Sequence, residues 1–235
     1  MLIPRPGRTT FFCFSPPVMI ATFAIEILLA VYTLWRYKMS PLVRLVVAAL
    51  VALATFQLSE YFVCGGVGMD ALWWSRLGYA SITILPPLGL HILFVIANRK
   101  NRRLVWAAYG TAIAFGSYFL FANQAFSGHE CAGNYVIFQL TAAASVLYSL
   151  YYYGWLLAAI SLGLHWRRTA KPLVRRGIAG LIAGYAVFLV PTSLVVILHP
   201  DAMDGVPSVM CGFAVIFAFI LVFHLLPVLR TKRRP

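Results

Sequence analysis

The sequence is poor in charged residues, and acidic ones are the scarcest. It contains 6 Asp and Glu residues against 19 Lys and Arg, and charged residues make up 11% of the chain against 62% hydrophobic. Soluble domains carry about 25% charged residues, so a soluble globule is excluded. The net charge of +13 lies in short bands beside apolar stretches. Its expected partner is therefore anionic lipid headgroups and not nucleic acid.

Lysine is missing from the long apolar stretches, and the short motifs of several enzyme classes are missing altogether. A retinal protein needs a lysine inside its helical bundle, so a rhodopsin-type photoreceptor is excluded. The chain has no H-E-x-x-H, G-x-S-x-G or phosphate-loop pattern. We therefore predict no enzymatic activity, no metal site and no cofactor. The four lysines lie between the stretches or in the tail: Lys38, Lys100, Lys171 and Lys232.

Seven apolar stretches account for most of the chain. Each is roughly 20–30 residues long, enough to cross ~30 Å of hydrocarbon. We predict an all-α polytopic membrane protein, with residues 1–235 forming a single seven-transmembrane-helix domain. The spans lie near 17–36, 42–63, 73–97, 104–122, 135–164, 177–198 and 207–229.

Charge alternates in sign from one connection to the next. All but three of the 19 basic residues lie on alternate connections or in the C-terminal tail. The intervening connections carry Asp70, Glu130, Asp201 and Asp204. Positive charge is retained on the cytoplasmic side of membranes. We therefore predict an outer N-terminus, a cytoplasmic C-terminus and a location in the plasma membrane, specifically the bacterial inner membrane.

The four cysteines all lie at the predicted outer ends of the spans. In a ring of seven helices the first span closes against the last, which would bring Cys13 near Cys211. The second outer loop commonly crosses the mouth of such a bundle, which would bring Cys131 to Cys64. An oxidising compartment outside the membrane would allow these disulfides. Other pairings remain open, and so do free cysteines, which are comfortable in an apolar bundle.

Two glutamates, a glutamine and an arginine fall within the spans, where burial of an ionisable group costs several kcal/mol unless a partner is present. Glu26 is near the middle of span one, and Gln57 and Glu60 lie toward the outer end of span two. Arg76 shares the depth of Glu60 on the next, antiparallel span, so an ion pair between them is expected. This pair could simply lock two helices together, or it could form the charged floor of an outward-facing ligand pocket.

Aromatic residues near this predicted pair are candidates for a pocket lining. Trp73, Trp74 and Tyr79 lie at the start of span three. Trp and Tyr are also enriched at membrane interfaces regardless of function, so an anchoring role is the alternative. At the other ends of the spans, His91 and His224 share a depth. They could ligate haem as a pair, although hydrogen-bonded core histidines are the plainer interpretation.

Two motifs resemble a known family. The first runs from Trp73 to Tyr79 (WWSRLGY) and is followed by Leu85-Pro86-Pro87; the second is Tyr151-Tyr152-Tyr153-Gly154-Trp155. They resemble the seven-helix sensor region at the N-terminus of some bacterial histidine kinases and diguanylate cyclases. In that family the third span begins with tryptophan and a basic residue and has a proline midway. Glycine after aromatic residues is common in its fifth span.

The resemblance implies a receptor-like membrane sensor. It would bind a small ligand from the outer side and pass a helix shift inward. The sequence shows no kinase or cyclase domain after span seven, so the signal would pass to a separate protein partner on the basic inner face. The alternative is an accessory or structural subunit of a larger membrane complex. A small-solute transporter is the third possibility, although such transporters usually carry an internal repeat that is not evident here.

Overall fold

The fold is described from a computed structural model, which describes residues 16–65, 70–100, 102–122, 124–132, 135–198 and 206–229. Seven helical segments are long and apolar enough to cross a membrane. The predictions of an all-α bundle and of a multi-pass membrane protein are thereby confirmed. Five of the segments are continuous helices: α1 (Pro16–Arg36), α2 (Pro41–Gly65), α5 (Arg103–Phe121), α6 (Ala142–Thr169) and α7 (Pro172–Leu198).

The third and seventh segments are interrupted. The third consists of α3 (Ala71–Thr83) and α4 (Leu85–Ile96). The seventh consists of α8 (Val206–Phe219), a π-helical stretch (Ile220–Leu225) and the short α9 (Leu226–Val228). Widened π turns of this kind occur frequently at functional positions in helices.

Local sequence signals explain where the helices begin and end. Proline is the first residue of α1, α2 and α7, a position that needs no backbone N–H donor. The carboxylate of Asp70 caps α3 by accepting a hydrogen bond from the Leu72 N–H at 3.0 Å. Asn98, with φ of 51°, follows α4 in the left-handed conformation that commonly ends a helix.

The segments pack as a ring with α2 toward its interior. Helix α1 contacts α2 and α8, so the predicted closure of the first span against the last is confirmed. Helix α2 also contacts α3, α4 and α8, while α4 contacts α6 and α6 contacts α7. This arrangement places the buried faces of α1, α2 and α8 against one another.

A β-hairpin, not a helix, precedes α6. Strand β1 (Phe126–Ala132) pairs antiparallel with β2 (Tyr135–Leu140). The prediction that span five begins at residue 135 is therefore wrong, and α6 begins at Ala142. The reason is aromatic packing, because β2 buries Phe138 against Phe56 and Tyr79, with ring centroids 5.9 and 5.2 Å away. We call this end of the bundle the hairpin end, and the opposite end, which carries Arg99 and Lys100, the basic end.

The interruption of the third segment follows from its prolines. Pro87 has no N–H to donate to the carbonyl of Thr83, four residues earlier. The Tyr151 hydroxyl, from α6, donates to that carbonyl instead at 2.5 Å. A side chain from another helix thus satisfies the backbone group that the proline releases.

Candidate ligand-binding site

Two glutamates are buried inside the bundle. Glu26 on α1 is 0% exposed and Glu60 on α2 is 1% exposed. The two carboxyl groups interact electrostatically. They approach each other because Cα–Cβ bonds lean toward the N-terminus of a helix and α1 and α2 are antiparallel. Glu26 therefore leans toward the hairpin end, and Glu60 leans toward the basic end.

Helix α8 supplies the neighbours of this carboxyl pair. The hydroxyl of Ser208 hydrogen-bonds to the Glu60 carboxyl. Cys211, one turn further along α8, interacts electrostatically with both Glu60 and Glu26. Gln57 lies three residues before Glu60, a spacing that places both on one face of α2, and its side chain is also buried. The carboxyl pair, Gln57, Ser208 and Cys211 are called the polar cluster below.

The polar cluster is short of hydrogen bonds. Among the described residues, neither carboxyl oxygen of Glu26 has a partner, and Oε1 of Glu60 and Nε2 of Gln57 also have none. A buried polar group without a partner costs about 1–3 kcal/mol, and more when it is charged. Three carboxyl oxygens of the polar cluster therefore have unused capacity to accept hydrogen bonds.

The predicted ion pair between Glu60 and Arg76 is wrong, because Glu60 faces Ser208 instead. A Cβ added at Gly78 would lie 3.0 Å from the Cβ of Ser59, so it is Ser59 that faces α3. The next residue along a helix is rotated by about 100°, which turns Glu60 away from α3 toward α1 and α8. Arg76 is half-buried and makes contacts of its own.

The three predicted aromatic residues have different surroundings. Trp73 is 52% exposed on the bundle surface. Trp74 stacks on Phe62 at a centroid distance of 4.4 Å. Tyr79 is buried in an aromatic cluster with Phe119, Phe126, Phe138 and Tyr148. Of the predicted lining, only Tyr79 adjoins the polar cluster, through electrostatic interactions with Glu60 and Cys211.

An apolar cavity adjoins the polar cluster. It is small, with a volume of about 30 Å³, and lies between α2, α4, α6, α7 and α8. Cys211 forms part of its wall, so the cavity and the carboxyl pair share a residue. The hydroxyl of Tyr185, also in the wall, lies against Gly89 and has no hydrogen-bond partner among the described residues. The sequence did not predict this cavity, because the residues that line it do not differ in pattern from those of ordinary apolar helix faces.

The cysteine predictions have mixed outcomes. Cys211 is a free thiol and only 3% exposed, so the predicted bridge from Cys13 to Cys211 is wrong. Its side chain faces the interior of the bundle and not the end where Cys13 was expected. Cys64 is disulfide-bonded, but Cys13 and the side chain of Cys131 lie outside the described residues. The pairing of Cys64 with Cys131 therefore stays a prediction.

The two histidines of the basic half contact different helices. The Nδ1 atom of His91 lies 3.2 Å from the hydroxyl of Tyr109 on α5. His224, in the π-helical stretch, packs on Gly180 of α7, where an added Cβ would lie 2.6 Å from its ring. These contacts fit core histidines, the plainer of the two interpretations.

The fold and the polar cluster define a class of protein and no particular member of it. The described chain is a multi-pass membrane bundle with a polar cluster and an adjoining cavity inside it. Neither the protein-family models nor the curated proteins nor the solved structures contain a match to this chain. Its function is therefore argued from the geometry alone.

Proposed function

We propose that this protein is a receptor-like membrane sensor that binds a small ligand at the polar cluster. One observation carries the proposal. Glu26 and Glu60 are buried, and three of their four carboxyl oxygens lack hydrogen-bond partners among the described residues. An ionisable residue within a membrane span is costly and is by default a candidate functional group. A ligand that donates hydrogen bonds to these oxygens would offset that cost.

The proposed orientation follows the charge bands. The hairpin end faces outward, and the basic end lies in the cytoplasm of a bacterial cell, against anionic headgroups of the inner membrane. In this orientation, the ligand enters from the outside. A protein partner docked at the basic end receives the signal. A disulfide between Cys64 and Cys131 would tie the hairpin to α2 at the outer mouth.

Elements that can change shape connect the two ends. The break between α3 and α4, Pro191 inside α7 and the π-helical stretch all lie between the hairpin end and the basic end. Because proline and π turns weaken the regular backbone ladder, helices bend at such points. A ligand that draws α1, α2 and α8 together is thus expected to shift the basic ends of the helices.

Ligand screening by thermal unfolding of the purified protein in detergent tests the binding role. A ligand of the polar cluster should raise the midpoint temperature of unfolding of the wild type but not that of the double variant Glu26→Gln, Glu60→Gln. The matched control is Asp70→Asn, which also converts a carboxylate to an amide but lies at the end of the bundle and keeps a good helix cap. Equal stabilisation of all three proteins would place the ligand elsewhere.

Three further measurements separate sensing from its alternatives. A sensor shows changed hydrogen exchange at the basic end, in residues 97–100 and 167–171, when the ligand binds. Uptake of the ligand into vesicles that contain the protein would favour the transporter alternative. The accessory-subunit alternative predicts that the protein, extracted gently, migrates in a stoichiometric large complex on native mass spectrometry. Unchanged exchange with no uptake would contradict the sensor.

A further inference from the structure

A second pocket lies at the basic end of the bundle, and it shares no lining residue with the apolar cavity. It has a volume of about 380 Å³ and lies between the end of α4, the beginning of α5 and the end of α6. This volume falls within the range of about 300–1,000 Å³ typical of small-molecule sites. We call it the basic pocket, and its lining residues are Phe94, Arg99, Lys100, Arg103, Leu104 and Trp166.

The end of α4 fixes the backbone of Arg99 in the wall of this pocket. The Arg99 N–H donates to the Phe94 carbonyl at 3.0 Å, and the Asn98 N–H donates to the Val95 carbonyl at 3.2 Å. Together with the φ of 51° at Asn98, these two hydrogen bonds form the Schellman motif that ends many helices. The basic pocket therefore begins at a regular helix end.

Trp166 of α6 supports the Arg99 side chain. The Arg99 guanidinium lies over the Trp166 ring, 4.9 Å from its centroid, which is within the range of a cation–π contact. Trp166 in turn packs edge to face against Phe94, with ring centroids 5.0 Å apart. Stacking uses the flat face of a guanidinium and leaves the N–H groups at its edge to bind other partners. Arg99 is thus held in the pocket with its donors in a defined plane.

The charged residues of the basic pocket are all positive. Arg99, Lys100 and Arg103 line it and are exposed. The sequence contains no acidic residue in 97–104 or 163–176, the two stretches that border the pocket. An arginine can bind a phosphate through two parallel N–H groups. Three neighbouring cations therefore suit an anionic phosphate.

The apolar part of the pocket favours a lipid as the source of that phosphate. Phe94 and Leu104 line the pocket beside the cations, and the pocket lies where three candidate membrane spans end. Spans end at the level of the lipid headgroups. The outer surface of α5 continues from there with the exposed residues Trp106 and Ile113. A phosphate bound to the cations can therefore be joined to acyl chains along α5, which a soluble anion lacks.

We propose that the basic pocket is a specific binding site for one anionic phospholipid. The phosphate lies against Arg99, Lys100 and Arg103, and the acyl chains extend along α5. Basic pockets between membrane helices on the cytoplasmic side bind anionic headgroups in other proteins. The proposal goes beyond a general attraction between basic bands and the membrane, because it assigns one lipid per protein to one set of residues. It does not depend on the proposed sensing role.

Native mass spectrometry of the full-length protein in detergent tests the site and its selectivity. Dioleoyl phosphatidylglycerol is compared with dioleoyl phosphatidylcholine, which has the same acyl chains but no net charge. One phosphatidylglycerol molecule should bind at least about tenfold more tightly than phosphatidylcholine, because each nearby basic residue favours an anionic headgroup. Equal affinities would overturn the proposal, and so would several phosphatidylglycerol molecules of equal affinity with no tighter first site.

A charge-matched pair of variants separates the pocket from diffuse attraction. Arg99→Gln with Arg103→Gln should weaken phosphatidylglycerol binding at least about tenfold. Arg175→Gln with Arg176→Gln removes the same charge from exposed residues of α7 outside the pocket, and the affinity should change little. Equal losses in the two double variants would mean that overall charge, and not the pocket, attracts the lipid.

A single variant tests the pocket even if the double variant does not fold. Lys100→Gln changes one exposed side chain and should lower the affinity for phosphatidylglycerol severalfold. Its unfolding midpoint without lipid should match that of the wild type, because the side chain is exposed. Unchanged lipid affinity in this variant would contradict the proposed location of the phosphate.

Soluble competitors identify the source of the anion. Glycerol phosphate carries the headgroup phosphate without acyl chains, and a short polyglutamate peptide represents an acidic segment of a protein partner. Neither should displace phosphatidylglycerol from the wild type at a large molar excess, because neither buries apolar chains against the protein. Displacement by glycerol phosphate would assign the pocket to a soluble phosphate ligand, and displacement by polyglutamate would assign it to a protein. Either result would overturn the lipid assignment.

Discussion

The hydrogen bond between Ser208 and Glu60 connects α8 to α2. It lies next to the carboxyl oxygens of Glu26 and Glu60 that lack hydrogen-bond partners among the described residues. Both residues are almost fully buried, at 2% and 1% exposed. Loss of the serine hydroxyl would leave the Glu60 carboxyl with fewer partners in an apolar interior, where each hydrogen bond matters more than in water. The stability of this helix contact should therefore depend on the pair and not on either residue alone.

A double-mutant cycle measures that dependence. Ser208→Ala and Glu60→Met should each change the free energy of unfolding, and the coupling between them should be about 0.5–3 kcal/mol, as for residues in contact. The comparison cycle combines Glu60→Met with Arg76→Met, and its two effects should add within about 0.5 kcal/mol. Unfolding in mixed detergent micelles supplies the values. A larger coupling energy in the Arg76 cycle would mean that Glu60 pairs with Arg76 and not with Ser208.

The polar residues of the spans could be predicted from the sequence, but their partners could not. Glu26, Gln57 and Glu60 were identified because each is a rare polar residue within an apolar stretch. Depth along neighbouring spans predicted Arg76 as the partner of Glu60, yet depth leaves the face of the helix undetermined. The contact between Ser59 and Gly78 sets that face, and nothing in the apolar pattern of α2 indicates which residue faces α3.

Helix α6 supports the break between α3 and α4 through two tyrosines. The Tyr151 hydroxyl donates to the Thr83 carbonyl at 2.5 Å, and the Tyr148 hydroxyl accepts from the Thr83 hydroxyl at 3.1 Å. The Thr83 hydroxyl also donates to the Tyr79 carbonyl at 2.6 Å. It therefore keeps a hydrogen-bond acceptor if Tyr148 is changed. The two tyrosines should therefore differ in importance.

The change Tyr151→Phe should destabilise the protein by about 1–3 kcal/mol, because the Thr83 carbonyl is left without its partner. The change Tyr148→Phe should cost less. Adding Pro87→Ala to Tyr151→Phe should recover part of the loss, since alanine restores the backbone N–H that can donate to Thr83. Thermal unfolding of the wild type, these three variants and Pro87→Ala alone provides the comparison. If Pro87→Ala lowers stability equally in both backgrounds, the carbonyl is not the source of the effect.

Glycines on α7 allow close approach of the last segment. A Cβ at Gly184 would lie 2.5 Å from the ring of Phe217, and one at Gly177 would lie 2.8 Å from Leu229. Such small residues let membrane helices pack at short distance. The same face of α7 thus contacts α8, α9 and the π-helical stretch, where the proposed helix shift would have to occur.

The change Gly184→Ala should destabilise the protein by about 1–3 kcal/mol through overpacking against Phe217. Gly110→Ala on α5 is the matched control, because a Cβ there meets nothing within 4 Å. Alanine is the better helix former by about 1 kcal/mol, so the control should be neutral or stabilising. Unfolding midpoints that fall equally for both variants would attribute the loss to the backbone and not to the α7–α8 contact.

The hairpin shows how an apolar pattern can hide a change of structure. Residues 135–140 were assigned to span five because they continue its apolar run. The predicted span was longer than a bilayer requires, and Gly133 and Asn134 precede it as turn residues. Those signals favour a hairpin, yet only the burial of Phe126 and Phe138 among the aromatic residues of the hairpin end decides between strand and helix.

At the scale of the whole molecule, the charge bands and the polar cluster give the bundle a direction. Basic residues gather at one end, while the polar cluster, the hairpin and the capping carboxylate of Asp70 lie toward the other. The number of spans and most of their bounds follow from the apolar pattern, because a bilayer imposes one length on every crossing. The central cavity does not follow, since it depends on how five helix faces meet.

The proposed orientation can be tested with a reporter that is active only in the cytoplasm. Fused after Pro235, the reporter should be active, because the C-terminal tail is basic and positive charge is retained on the cytoplasmic side. Inserted between Ala132 and Tyr135, at the tip of the hairpin, it should be silent; a loop tip is a position that tolerates insertion. A periplasmic reporter at the same two positions is the control and should give the opposite pattern. Activity of the cytoplasmic reporter at the hairpin tip would mean that the bundle has the opposite orientation. The carboxyl pair would then lie nearer the cytoplasmic end of the bundle, which would contradict the proposed entry of a ligand from outside.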